Sequence, residues 1–216
     1  MITELCSLAD KYGSDKGPKG HNYTPIYHEL MCSSKETTRI VVEIGVLNGA
    51  SIRMWLDYFP GATVFAIDID HKALSRLVSS RFPGSERVVP ILGSQEDPNT
   101  WRNIPNNVDF IIDDGSHIPE HQMKTLENNF CILTSHGMWI IEDTHCNFHE
   151  LFNGTYTGDD RIYPWLRQRI IAQQMVPDGM GTGDFYKAKD VAKPDTLTGM
   201  IYGIRSYKSL IMMEKA

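Results

Sequence analysis

Residues 41–51 read VVEIGVLNGAS, an apolar run that stops at a glycine turn and passes directly into a helix-forming stretch. A strand with little polar alternation and many β-branched residues is covered on both faces, as in a parallel sheet flanked by helices. That strand spans 40–45 (IVVEIG), and four comparable runs follow at 63–69 (TVFAIDI), 87–93 (RVVPILG), 108–114 (VDFIIDD) and 138–143 (MWIIED). Helical stretches near 48–58, 71–82 and 118–132 fall between some of them. This rhythm is that of an α/β, doubly wound, Rossmann-like domain.

The C-terminal part departs from that rhythm. A polar, aromatic loop follows residue 145, and RIYPWLRQRIIAQQM (161–175) then carries a helical pattern. Two β-rich runs, MIYGIRSYK and SLIMMEK, end the chain close enough together to pair as antiparallel strands. A mostly parallel sheet finished by an antiparallel C-terminal strand is the class I methyltransferase arrangement; the usual dinucleotide-binding sheet stays parallel. Residues 1–38 are too short for an independent domain and read as an N-terminal helix and lid segment before a domain at 39–216. By composition, the loop DKYGSDKGPKGHNY is a mobile lid whose lysines face solvent.

A chain of 216 residues that is 41% hydrophobic can bury one substantial core. A formal charge of -6 argues against a protein built to neutralise nucleic-acid phosphates, so a small soluble partner is expected. Cys6, Cys32, Cys131 and Cys146 are scattered without the short spacings of a zinc site or redox dithiol. No leader pattern opens the sequence and no run approaches the ~20 apolar residues of a membrane span, so the expected location is cytoplasmic, without membrane contact.

Glu43, Gly45 and Gly49 form E-x-G-x-x-x-G at the end of the first strand. Glycines there allow a ligand to approach the backbone at the C-terminal edge of the sheet. About 20 residues further on, AIDID supplies an acid at the end of the second strand, suited to accept from both hydroxyls of a ribose. Asp68 is the first candidate; Asp70 is the alternative and equally suits a helix cap. This spacing fits any nucleoside-containing cofactor. The absence of G-x-G-x-x-G, together with the terminal hairpin, favours S-adenosylmethionine over a dinucleotide. Ser94 and Gln95, after the third strand, are placed to meet the adenine edge, and Asn48, Ser51 and Asp113 complete the cofactor set.

IIDDGSH (111–117) and IIEDTH (140–145) end the fourth and fifth strands. As neighbours about 4.8 Å apart, these strands bring Asp113, Asp114, Glu142 and Asp143 together. Crowded carboxylates require compensation, and an all-oxygen set selects a hard cation: Mg2+ first, with Mn2+ or Ca2+ as alternatives. Alternation along the strand favours Asp114 over Asp113 as a ligand, whereas Asp113 and Ser116 also suit helix caps. His117, at the mouth of the same edge, can take a proton from a hydroxyl acceptor, with His145 as rival base or supporting group.

At these residues the chain resembles the metal-dependent sugar O-methyltransferases of macrolide biosynthesis, the macrocin and mycinamicin type, and related cephalosporin hydroxylase-like proteins. The resemblance runs through DKYGSDKG, HNYTPIY, EIGVLNGAS, AIDID, IDDGSH and IEDTH, of which the last two are the specific part. It implies Asp114, Glu142 and Asp143 as Mg2+ ligands, His117 as general base, and Glu43, Gly45 and Asp68 at the cofactor. It also implies that Lys11, Tyr12, His21 and Tyr23 belong to a stretch folding over the active site, and that the protein forms a homo-oligomer. The implied acceptor is a hydroxyl of a small molecule, a glycosylated natural product or a surface sugar. IEDTH is followed by CNF where relatives usually carry threonine, serine and tyrosine, a difference in a region that would set acceptor specificity.

The loop at 146–160, with Phe148, Phe152 and Tyr156, is placed to close over such an acceptor. A cofactor-binding protein without turnover is the main alternative, and a general base beside a cation argues against it. A catechol-type methyltransferase is another, and it usually employs a lysine base; no lysine stands at the matching position beside IDDGSH.

Overall fold

The computed structural model describes residues 2–154, 162–174 and 195–216. Helices α1 (Glu4–Tyr12) and α2 (Thr24–Met31) lead into β1 (Ile40–Ile44), α3 (Ala50–Tyr58), β2 (Thr63–Asp68), α4 (His71–Ser79) and β3 (Val88–Leu92). Then come α5 (Pro98–Trp101), β4 (Val108–Asp113), α6 (Pro119–Asn129), β5 (Leu133–Ile141) and α7 (Ile162–Gln174), and the chain closes with α8 (Thr196–Met200), β6 (Ile201–Tyr207) and β7 (Leu210–Lys215). The seven strands among the described residues form one sheet in the order β3-β2-β1-β4-β5-β7-β6. Strands β1 to β5 are parallel, and β7 runs antiparallel between β5 and β6, as the terminal β-rich runs indicate. Strand β5 begins at Leu133, five residues before the expected start; only its second half is the apolar run that pairs with β7.

Alternation along each strand divides the core between the two faces. Val41, Ile112 and Ile140 pack with Trp55 of α3 and with Leu5, Ala9 and Tyr27 from the N-terminal helices. Val42, Ile111 and Ile141 face the other way, onto Trp101, Leu126 and Phe130. The N-terminal helices therefore supply one layer of the core. Thr3 caps α1 by accepting from Cys6 N, and Gly13 ends it in the left-handed conformation.

Register aligns the strand ends that matter. Ile44 pairs with Asp113, and Asp113 with Ile141, so Gly45, Asp114 and Glu142 leave the sheet as one row. Among the described residues no helix is long and apolar enough to cross a membrane.

Candidate active site

A cavity of about 460 Å³ opens at the C-terminal edge of the sheet, lined by residues from the loops after β1, β2, β3, β4 and β5. Its floor is the turn after β1. Gly45 has φ +92, and a Cβ there would stand 2.1 Å from the backbone oxygen of Asp114. Only glycine lets the turn pass so close to the end of β4. Gly45 N donates to Ile67 O at 2.9 Å and Asp114 N to Ile44 O at 3.0 Å, which binds the three central loops together.

Asp68 and Asp70 line one side. The Asp68 carboxylate accepts from Val46 N at 2.8 Å and from Asp70 N at 2.7 Å, which holds it in place. Asp70 caps α4, accepting from Lys72 N. Ser94 and Gln95 form another wall. Gln95 donates Nε2 to both oxygens of Asp113 at 3.1 Å and accepts from Ser116 N at 2.9 Å. Asp113 is fully buried and forms no part of the cavity lining, and the helix that follows is capped at Ile118 instead; Asp113 orients Gln95 from beneath. Burial pushes its carboxyl up to about 7, with the Gln95 bond opposing.

Glu43 is also buried away from the cavity, accepting from Trp55 Nε1 at 3.0 Å. Its carboxyl is pushed up to about 7 by burial, against the pull of Lys16. Asn48 accepts from Ala50 N at the start of α3, and it lines a smaller recess of about 100 Å³ with Ser51, Asp15 and Asp114.

Donor atoms of Asp114, His117 and Asp143 lie within 4.8 Å of one another on the cavity rim, a set that could hold a metal ion. His117 (φ +56) and Asp143 (φ +51) both adopt left-handed backbone without being glycine, a strained state that recurs at functional sites. Tyr23 donates its hydroxyl to Asp143 at 2.6 Å. Three imidazoles surround the same carboxylate: His21 at 3.6 Å, His117 Nε2 at 4.0 Å and His145 at 4.0 Å. Of these only His117 lines the cavity; its Nδ1 is buried without a hydrogen-bond partner among the described residues, and its ring meets Phe152 edge-on. His145 pairs with Ser209 Oγ at 2.8 Å and is exposed. His21 stacks on Tyr23.

Glu142 stands apart from this group. Its carboxylate is 1% exposed, accepts a short hydrogen bond from Tyr27, and meets Lys16 Nζ at 2.9 Å. Lys16 also reaches Asp114 at 2.6 Å and Glu43 at 3.4 Å, and it is itself 1% exposed. Burial alone would depress its ammonium; the three carboxylates outweigh that and raise it well above the ordinary lysine value.

Two expectations for the N-terminal segment are therefore corrected. The lysines do not all face solvent, since Lys16 is enclosed by compensating carboxylates. Lys11 and Tyr12 bind Asp57 of α3 and do not reach the site. They occupy the last turn of α1, whose packing against α3 directs them there. His21 and Tyr23, by contrast, do reach Asp143. Sequence reasoning missed Lys16 and Tyr27; the available signal was four converging acids, whose compensation was assigned to a cation alone and not to a side chain. Tyr156 lies outside the described residues.

A parallel sheet reversed at its C-terminal hairpin, with the cavity at the strand ends beside Gly45 and Asp68, is the class I methyltransferase arrangement. Within that class, residues 26–158 match the family described as Rhamnosyl O-methyltransferase/CmcI, and the chain belongs to it. It is similar to 8-demethyl-8-alpha-L-rhamnosyl tetracenomycin-C 2'-O-methyltransferase of Streptomyces olivaceus, 31% identical over 79% of this chain and 45% of that protein. It is also similar to L-olivosyl-oleandolide 3-O-methyltransferase of Streptomyces antibioticus, 32% identical over 69% of this chain and 39% of that protein. The chain thus spans less than half the length of these curated relatives. In fold it matches MycE methyltransferase from the mycinamycin biosynthetic pathway, solved in complex with Mg, SAH and mycinamycin VI. That match has a TM-score of 0.81 and 24% identity, over 99% of this chain and 54% of the other.

Proposed function

We propose that the protein is an S-adenosylmethionine-dependent, Mg2+-assisted O-methyltransferase acting on a sugar hydroxyl of a glycosylated natural product. One observation carries this reading: Asp114, His117 and Asp143 converge on the rim of a cavity that also presents Asp68. The named activities of the relatives support the acceptor class.

The cofactor's nucleoside fits against Asp68, Ser94 and Gln95, with the close turn at Gly45 admitting its sulfonium end. Asp114 and Asp143 are the carboxylates open to a hard cation, with Glu142 next in line behind them. When bound, the cation lowers the pKa of a hydroxyl and fixes its direction. His117 receives the hydroxyl proton on the edge facing Asp143, whose carboxylate then balances the imidazolium charge. Tyr23 keeps Asp143 oriented, and Phe152 covers the imidazole. A panel of rhamnosides incubated with methyl-labelled S-adenosylmethionine tests the reading. Label should appear on a sugar oxygen with Mg2+ and be lost with EDTA; transfer indifferent to EDTA would reject the cation's role.

A further inference from the structure

The ammonium of Lys16 touches two of the carboxylates that resemblance assigns to the metal, Asp114 at 2.6 Å and Glu142 at 2.9 Å. A carboxylate oxygen that receives an ammonium at hydrogen-bond distance cannot also coordinate a small, strongly charged ion in the same direction. Lys16 is not a surface residue that strayed inward. Tyr23 N and Thr24 N both donate to its carbonyl, at 2.9 and 3.0 Å, fastening its backbone to the start of α2. His21 N to Asp15 O and Asn22 N to Gly17 O close the loop around it.

The side chain has somewhere to go without moving that backbone. Glu43 Oε1 lies 3.4 Å from Nζ, is buried, and has no closer hydrogen-bond donor among the described residues. A lysine stem has four rotatable carbons, so a small swing carries the ammonium from the Asp114–Glu142 side to this berth. Both positions keep the positive charge among buried carboxylates, as burial of an ammonium demands.

We propose that Lys16 is a positioning residue that competes with the divalent cation for Asp114 and Glu142 and retreats to Glu43 as the cation binds. This rests on the cation-assisted reading above. Glu43 then acts on the metal site through Lys16, without being a ligand itself.

Mn2+ binding, followed by the paramagnetic resonance signal of free Mn2+ in the absence of cofactor and acceptor, tests this on the whole chain. Lys16→Met should bind Mn2+ at least about tenfold more tightly than the unaltered protein. Glu43→Gln should bind it severalfold more weakly, and that loss should vanish when combined with Lys16→Met. Equal or weaker binding by a folded Lys16→Met protein, with folding checked by circular dichroism, overturns the proposal. If Lys16→Met does not fold, Glu43→Gln alone decides, and unchanged Mn2+ affinity overturns it. An unaltered protein that binds no Mn2+ would instead reject the cation-assisted function.

Discussion

Replacing Gly45 by alanine should damage both stability and the cofactor site. Its φ of +92 is costly for any residue with a Cβ, by about 1–2 kcal/mol. The added carbon would also lie 2.1 Å from Asp114 O, a backbone atom that cannot rotate away. Relief requires β1 and β4 to separate at their ends, an overpacking strain of about 1–3 kcal/mol. Together these give about 2–5 kcal/mol, and a chain of this size loses about 2–4 °C in Tm for each kcal/mol. Gly45→Ala should therefore melt roughly 10 °C lower by circular dichroism, with weakened S-adenosylmethionine binding because Val46 and Asp114 move together. Gly203 in edge strand β6 has no described residue within 4 Å of where a Cβ would lie and is the matched control. If Gly45→Ala melts within 2 °C of the unaltered protein and binds cofactor equally well, the close approach has no energetic weight and the account of this turn fails.

Asp113 predicts a pH effect of definite sign. Its folded pKa, near 7, exceeds the ordinary 3.8, so the folded state holds a proton that the unfolded chain releases between these values. Stability should fall as pH rises through that window and level off above it, with Asp113 contributing about 4 kcal/mol at most. Asp113→Asn should reduce the slope in urea unfolding between pH 5 and 8, leaving the part due to Glu43, whose carboxyl is also raised to about 7; an unaltered slope would show that Asp113 does not titrate in that window. His117→Ala should lower turnover by about 100-fold or more while cofactor affinity stays within about threefold. Near-normal turnover would remove His117 from the general-base role.

The sheet was legible because parallel strands buried on both faces leave apolar runs such as VVEI and DFII, and the glycine and acid that end them follow from ligand access. The pairing of IIDDGSH with IIEDTH was legible for the same reason, since both runs end where neighbouring strands leave the sheet. Lys16 was not. Lysine is almost never buried unless paired, and its partners Asp114 and Glu142 lie 98 and 126 residues away, so no local pattern marks it. Lys11 and Tyr12 misled in the opposite way. They flank a glycine-rich loop that reaches the site, yet the helix carrying them turns their side chains towards Asp57. Asp113 shows the limit of alternation, which placed it on the opposite face from Asp114 without revealing that Gln95 was its partner.

Calorimetric titration with S-adenosylmethionine, on the unaltered protein and on Asp68→Ala, shows whether this cavity holds the cofactor and needs no knowledge of the acceptor. One cofactor per chain should bind in the micromolar range, with at least about tenfold weaker binding when the Asp68 carboxylate is removed. Absence of binding to the unaltered protein, or equal affinity in Asp68→Ala, would contradict the assignment of this cavity.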